Sequence, residues 1–225
     1  YFPSPSNKFE YLNSLNFSTT VWDLCHLQYK EFPEVYSYKE FDLREYHYNR
    51  VLKKSSFIIT ESEELSDLVS KSYNIERSNI ISLPLSVNNV LNKEYSNIKK
   101  ASLEIPKKFF FYPAQFWPHK NHISILKAFQ KVCSEYTDWY LIFCGSNTGN
   151  LDYLKKQTEI LGLEENVIFK EYIKDEDMYF FYQNCSCVIM TTFFGPTNIP
   201  PLEAWYFNKP LIYSDHLSKN IEGAA

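Results

Sequence analysis

A lysine set among histidines and a glutamate set behind two prolines are the residues of this chain best suited to chemistry. Lys120 lies in PAQFWPHKNH, residues 113–122, with His119 before it and His122 just after. A lysine beside a helix start suits a phosphate, because the helix dipole and the free amides attract anions at the same place. A solvated lysine is the alternative. Glu203 lies in FGPTNIPPLEAW, residues 194–205. Pro201 fits a first helical turn, where a missing N–H matters little, and that places Glu203 within the turn. The backbone amides of Thr197, Asn198 and Ile199 can face a diphosphate, and Glu203 can accept from sugar hydroxyls. Compensation of the helix dipole is the other reading of Glu203.

Metal and redox chemistry have less support. His119 and His122 have a spacing that zinc ligands use, but no third ligand accompanies them. The five cysteines, Cys25, Cys133, Cys144, Cys185 and Cys187, form no CxxC pair and fit buried free thiols.

The elements that must hold Lys120 and Glu203 are legible in the second half. Residues 109–112 (FFFY), 139–144 (WYLIFC), 167–169 and 187–190 read as short buried strands, and residues 209–213 begin a fifth. Helices are expected over 122–135, 150–161, 175–183 with Asp175 as N-cap, and from about 201 to 207. Strands alternating with helices give a parallel sheet, in which ligands bind outside the carboxyl ends of the strands. The loops at 113–122, 145–150 and 170–177 and the stretch 194–205 therefore share one rim. No GxGxxG is present, so a dinucleotide fingerprint is not expected.

The first half is less regular. Strands are expected over 19–24, 57–60 and 80–83, with helices over 41–54 and 63–73. The polar stretch 86–106 reads as a linker. The fold class is thus α/β with two Rossmann-like domains. Residues 1–100 form a partial N-terminal domain with the linker from about 86. Residues 101–225 form a C-terminal domain that lacks its last elements, and the chain reads as a fragment.

Composition sets the outer limits. Of 225 residues, 44% are apolar, enough for sizeable cores rather than disorder. A net charge of -4 argues against a nucleic-acid surface. No stretch approaches the ~20 apolar residues of a membrane span, so membrane contact, if any, is peripheral.

PAQFWPHKNH, GSNTG and FGPTNIPPLEAWYFNKPLIYSD, in this order and spacing, resemble the C-terminal domain of GT-B glycosyltransferases of family GT4. WDLCHLQYKEFPE and SFIITESEELSDL are similar to the end of that family's N-terminal domain. The resemblance implies transfer of a sugar from a nucleotide sugar, such as a UDP- or GDP-sugar, with retention and without a required metal or other cofactor. The acceptor it implies is a glycan or a lipid-linked sugar. The setting it implies is cell-surface polysaccharide or glycolipid assembly, in the cytoplasm or at the inner face of the plasma membrane.

Residue by residue, the resemblance makes Lys120 the lysine that binds the donor phosphates. Gln115 stands where the family usually has an arginine. Glu203 matches the glutamate that holds the ribose, and Gly195 stands where a sugar-directed glutamate is usual. Gly145, Tyr172 and Ile173 fall on the donor side, the last two where the nucleobase packs. Asp23 and His26 follow the place of a His-Asp-Leu motif and are expected to face the donor sugar, with a packing histidine as the alternative. Gln115 and Gly195 favour a second reading, a non-catalytic nucleotide- or glycan-binding domain of this fold. A sugar-nucleotide epimerase is a third.

Overall fold

The computed structural model describes residues 15–87, 105–195 and 198–218. The chain forms two compact units: residues 1–85 with 194–197 and 217–225, and residues 86–193 with 198–216. The expected linker falls largely at 88–104, outside the described residues.

The first unit contains a parallel sheet in the order β1-β2-β3, made of β1 (Ser18–Thr20), β2 (Phe57–Thr60) and β3 (Ile80–Ser82). Between β1 and β2 lie α1 (Cys25–Gln28), α2 (Pro33–Tyr36) and α3 (Glu40–Val51), and α4 (Glu63–Tyr73) joins β2 to β3. The helix α4 shows why its sequence stops and starts where it does. The Ser62 hydroxyl accepts from the Leu65 N–H at its start, and Asn74 ends it in the left-handed conformation. Leu65, Val69 and Tyr73 recur at helical spacing and bury against Ile58 and Ile80. The strand expected over 19–24 is shorter. It stops at Thr20, and Leu24 already serves as the N-cap of α1. Alternation of apolar residues did not extend past Val21, so the local pattern alone could not hold the strand.

The second unit is a five-stranded sheet, all parallel, in the order β6-β5-β4-β7-β8. Its strands are β4 (Phe109–Pro113), β5 (Tyr140–Cys144), β6 (Val167–Lys170), β7 (Cys187–Met190) and β8 (Leu211–Tyr213). The helices α5 (His122–Glu135), α6 (Leu151–Ile160), α7 (Asp175–Asn184) and α8 (Ile199–Tyr206) follow β4 to β7 in turn, and α9 (Asp215–Ser218) follows β8.

Side chains alternate across this sheet. Tyr112, Leu141, Phe143 and Ile189 face α5 and α6, and pack on Leu126, Phe129, Leu151 and Leu154. Phe109, Phe111, Ile142 and Val188 face the other way, toward Phe181, Tyr182 and Ala204 of α7 and α8. Burial on both faces is why the strands read as unbroken apolar runs rather than as alternating ones.

Two expectations at helix starts need correction. Asp175 is the first residue of α7, and the N-cap is Lys174. The helix α8 begins at Ile199, so Glu203 is its fifth residue and lies beyond the first turn. Asn198 enters in an extended conformation and starts the helix before the prolines, which fit its second and third positions.

Candidate functional site

The strand order reverses between β4 and β7, because β5 and β6 lie to one side of β4 and β8 lies beyond β7. In open parallel sheets a ligand crevice lies outside the carboxyl ends of the strands at such a reversal. Lys120 sits on the loop leaving β4, and Asn198 on the loop leaving β7.

Lys120 ends a short 3-10 turn, Pro118–Lys120. The Tyr112 hydroxyl donates to its backbone carbonyl at 2.8 Å. Its ammonium donates to Asn198 Oδ1 at 3.2 Å, and Asn198 Nδ2 donates to the Tyr213 hydroxyl at 2.9 Å. The exit from β7 is tied to the same loop: the Phe193 N–H and the Thr192 hydroxyl both donate to the His119 carbonyl. His122 is fully buried beside the rings of Tyr112, Phe116 and Phe143. Burial lowers its pKa to about 3, against an opposing pull from the Ala114 backbone, and the neighbouring Lys120 adds to the lowering. His122 is therefore a neutral packing group.

Glu203 is half-buried and accepts from the hydroxyl of Tyr182 on α7. Burial raises its carboxyl above the ordinary range, and the Tyr182 hydrogen bond works against that rise. Gln115 is exposed, and its side-chain oxygen accepts from the Trp117 indole at 2.8 Å. Tyr172 is exposed, whereas Ile173 is buried in the core beneath α7. Gly145 has a packing reason to be glycine: an added Cβ would lie 2.2 Å from the Ala114 carbonyl oxygen. Ile199 is partly exposed as the first residue of α8, and Thr197 lies outside the described residues. Because Pro200 and Pro201 follow, the first turn of α8 offers an anion fewer amides than an ordinary helix start.

In the first unit, Asp23 and His26 belong to one polar cluster. Asp23 Oδ1 accepts from the Cys25 N–H at 3.0 Å and from Arg44 at 2.7 Å. Burial pushes the Asp23 carboxyl up, but Arg44 and the Cys25 amide outweigh it and hold it below the ordinary range. His26 is fully buried, with Nε2 2.9 Å from Glu45 Oε1, and the Tyr73 hydroxyl donates to the same oxygen at 2.6 Å. Burial lowers the His26 pKa, with Glu45 pulling it back. A carboxylate can only accept, so Nε2 carries the proton and Nδ1 is left as an acceptor. That Nδ1 is buried with no hydrogen-bond partner among the described residues. Gly195 takes a positive φ of 118°. Beside it, Phe194 packs on Tyr29 and Phe32.

The sequence reading missed Tyr213, Tyr182, Arg44, Glu45 and Tyr73. Tyr213 was within reach, since the end of the fifth strand belongs to the same rim as the other four. The others meet their partners only through packing of separate helices. Among the described residues no group of three or more His, Cys, Asp or Glu side chains could hold a metal ion. No described helix is long and apolar enough to cross a membrane.

Residues 95–220 match the glycosyl transferases group 1 family. The chain is 27% identical over 167 residues to the O-antigen chain mannosyltransferase RfbU of Salmonella typhimurium, which covers 73% of this chain and 43% of that protein. It is 28% identical over 185 residues to the alpha-1,3/1,6-mannosyltransferase ALG2 of Dictyostelium discoideum, covering 73% of this chain and 44% of that one. The chain thus spans less than half the length of these curated relatives. The crystal structure of WaaG, a glycosyltransferase involved in lipopolysaccharide biosynthesis, matches with a TM-score of 0.66 at 15% identity, over 87% of this chain and 55% of that one. At that identity the likeness concerns the fold, and the α/β architecture with parallel sheets is of the GT-B kind. With more than half of its residues inside the family match, this chain belongs to the glycosyl transferases group 1.

Proposed function

We propose that this chain is part of a retaining glycosyltransferase that moves a hexose from a nucleotide sugar to a glycan or lipid-linked acceptor. Residues 101–225 bind the donor and residues 1–100 contribute the acceptor side. The single observation that carries the reading is the fixed Lys120 ammonium at the strand-order reversal, inside the segment that matches the family. In the reaction the bond between the anomeric carbon and the diphosphate oxygen breaks, and the diphosphate leaves with the electron pair. The acceptor hydroxyl oxygen forms the new bond and its proton passes to the departing diphosphate. Lys120 meets the charge that grows on that diphosphate, which stabilises the transition state more than the ground state. Glu203 accepts from the ribose hydroxyls, and Gln115, Gly145, Tyr172, Asn198 and Ile199 line the donor side, while Ile173 supports that rim from the core. No metal or other cofactor takes part.

Both curated relatives are mannosyltransferases, which makes a mannosyl donor the first to try. Assembly of a cell-surface polysaccharide or glycolipid is the setting proposed, and RfbU is by name an O-antigen chain mannosyltransferase. The exposed Gln115 and the absence of a carboxylate at Gly195 favour a second reading, a domain that binds without turnover.

A thermal-shift series with UDP-, GDP- and ADP-sugars tests donor binding. At a hundredfold excess over Kd the true donor should raise Tm by about 5–10 °C. Release of free nucleotide on incubation with that donor then separates the enzyme from the binding domain. No shift with any nucleotide sugar would overturn both.

A further inference from the structure

Asn198 occupies the N-cap of α8 but does not cap it. An asparagine at that position ordinarily accepts from the backbone N–H two or three residues further on. Those residues are Pro200 and Pro201, and neither has an N–H to give. The prolines thus remove the local donors that compete for the Asn198 side chain. The amide is turned instead to two distant groups, Lys120 and Tyr213. Its orientation follows from their chemistry. An ammonium can only donate, so the Asn198 oxygen must face Lys120, and its NH2 then faces the Tyr213 hydroxyl. Asn198 is nearly buried, at 7% exposure.

We propose that Asn198, kept from helix capping by Pro200 and Pro201 and oriented by Tyr213, is a positioning residue that fixes the Lys120 ammonium for a donor diphosphate. The proposal rests on the reading of Lys120 given above. The backbone of Lys120 is already held through Tyr112, but the side chain carries a compact charge on a flexible four-carbon stem. A neutral amide restrains that charge without cancelling it. A carboxylate at the same place would hold the lysine equally well and neutralise the field the diphosphate needs. This separates Asn198 from a residue that only supports the fold, and it gives the double proline a purpose beyond starting a helix.

The test uses the whole protein and inorganic diphosphate as the probe, with binding read by calorimetry and the Lys120 ammonium followed by 15Nζ resonance. Asn198→Ala should weaken diphosphate binding by about 5- to 20-fold, the scale of losing preorganisation of one charged group. Asn198→Asp should weaken it more, by about 100-fold, although it preserves the hydrogen bond to Lys120. Pro200→Ala combined with Pro201→Ala restores two N–H groups that can draw Asn198 away. It should weaken binding by about 3- to 10-fold while the helix remains folded. Wherever Lys120→Ala leaves binding measurable, the losses of Asn198→Ala and of the proline variant should shrink toward none in that background, because their effect runs through that lysine, whereas Asn198→Asp keeps a loss from direct repulsion. If Lys120→Ala abolishes binding while the Asn198 and proline variants bind as the parent does, the positioning inference fails and the donor reading stands. If Lys120→Ala itself binds diphosphate normally, the donor reading fails. The positioning claim is then decided by the ammonium resonance, and an Asn198→Ala spectrum unchanged at Lys120 would overturn it.

Discussion

The buried hydroxyl of Tyr182, on α7, donates to the carboxylate of Glu203, on α8, on the face of the second sheet that these two helices cover. Glu203 is therefore held by a neighbouring helix as well as by its own. Glu203→Gln keeps an oxygen for Tyr182 and loses the charge, so hydrogen bonds to a ribose weaken from charge-assisted to neutral. Nucleotide affinity should fall by about 5- to 30-fold, equivalent to about 1–2 kcal/mol. Stability should not fall at neutral pH. Burial raises the Glu203 carboxyl above 4.5, so its contribution to stability is complete below that value and lost as pH rises through the folded one. The glutamine variant has no such loss. Tyr182→Phe should do the opposite, leaving a half-buried carboxylate short of a donor at a cost of about 1–3 kcal/mol in urea unfolding. Normal nucleotide affinity in Glu203→Gln would confine Glu203 to this helix–helix contact.

Lys120→Ala should lower kcat/KM by about 100-fold or more, the scale of removing a preorganised charge partner from a developing anion. Lys120→Arg should recover part of that loss, since the charge survives while the planar guanidinium cannot reproduce the geometry of the contact to Asn198. Steady-state kinetics with the donor found by thermal shift decide it, and an alanine variant with parental kinetics would place Lys120 on a solvated face.

What the sequence made legible follows physical lines. The strands of the second unit stood out because each is apolar on both faces, and α5 could be read from its apolar period and α6 from its period and the Gly162 that closes it, which adopts a positive φ of 67°. The site was legible as positions on one rim, which parallel topology dictates. Its connections were not. Lys120 and Asn198 are 78 positions apart, and Tyr73 and Glu45 are 28 apart. No local pattern joins residues at those separations, because packing of whole elements brings them together. The start of α8 was misplaced for a different reason: two prolines can occupy any of the first positions of a helix, so they mark its beginning without fixing which residue comes first.

The His122 environment leads to an acid-sensitivity prediction. Its folded pKa of about 3 lies below the ordinary 6.5, so the unfolded chain binds a proton that the native one refuses. The stability it supports is complete above 6.5 and is lost as pH falls from there toward 3. One such proton gives a slope of about 1.4 kcal/mol per pH unit within that window. His122→Phe fills the same aromatic setting with a group that cannot charge, so it should flatten the pH dependence by about one proton. Chemical denaturation at several pH values between 6.5 and 4 measures this directly. An unchanged slope in the phenylalanine variant would mean that His122 is already protonated in the native state.

Gly145 offers a test of packing against ligand contact at a single position. It directly follows β5, and its N–H donates to the Lys170 carbonyl at 2.9 Å. The loop leaving β4 passes directly over it: a Cβ would meet Ala114 O at 2.2 Å, Ala114 C at 2.5 Å and Gln115 N at 2.6 Å. All three are backbone atoms, which cannot swing aside as a side-chain tip could. Gly145→Ala must therefore push the 114–115 backbone outward, and strain of this kind costs about 1–3 kcal/mol. Gly149, by contrast, has open space around it, although its φ of 103° strains any other residue. That makes Gly149→Ala a control for backbone strain without a clash. Because the displaced segment leads into Gln115 and on to Lys120, the alanine at 145 should also weaken diphosphate binding, whereas the alanine at 149 should not. Loss of stability without loss of binding would show that the loop yields at Ala114 and absorbs the shift before it reaches Lys120. Loss of neither would show that the two loops do not touch as described.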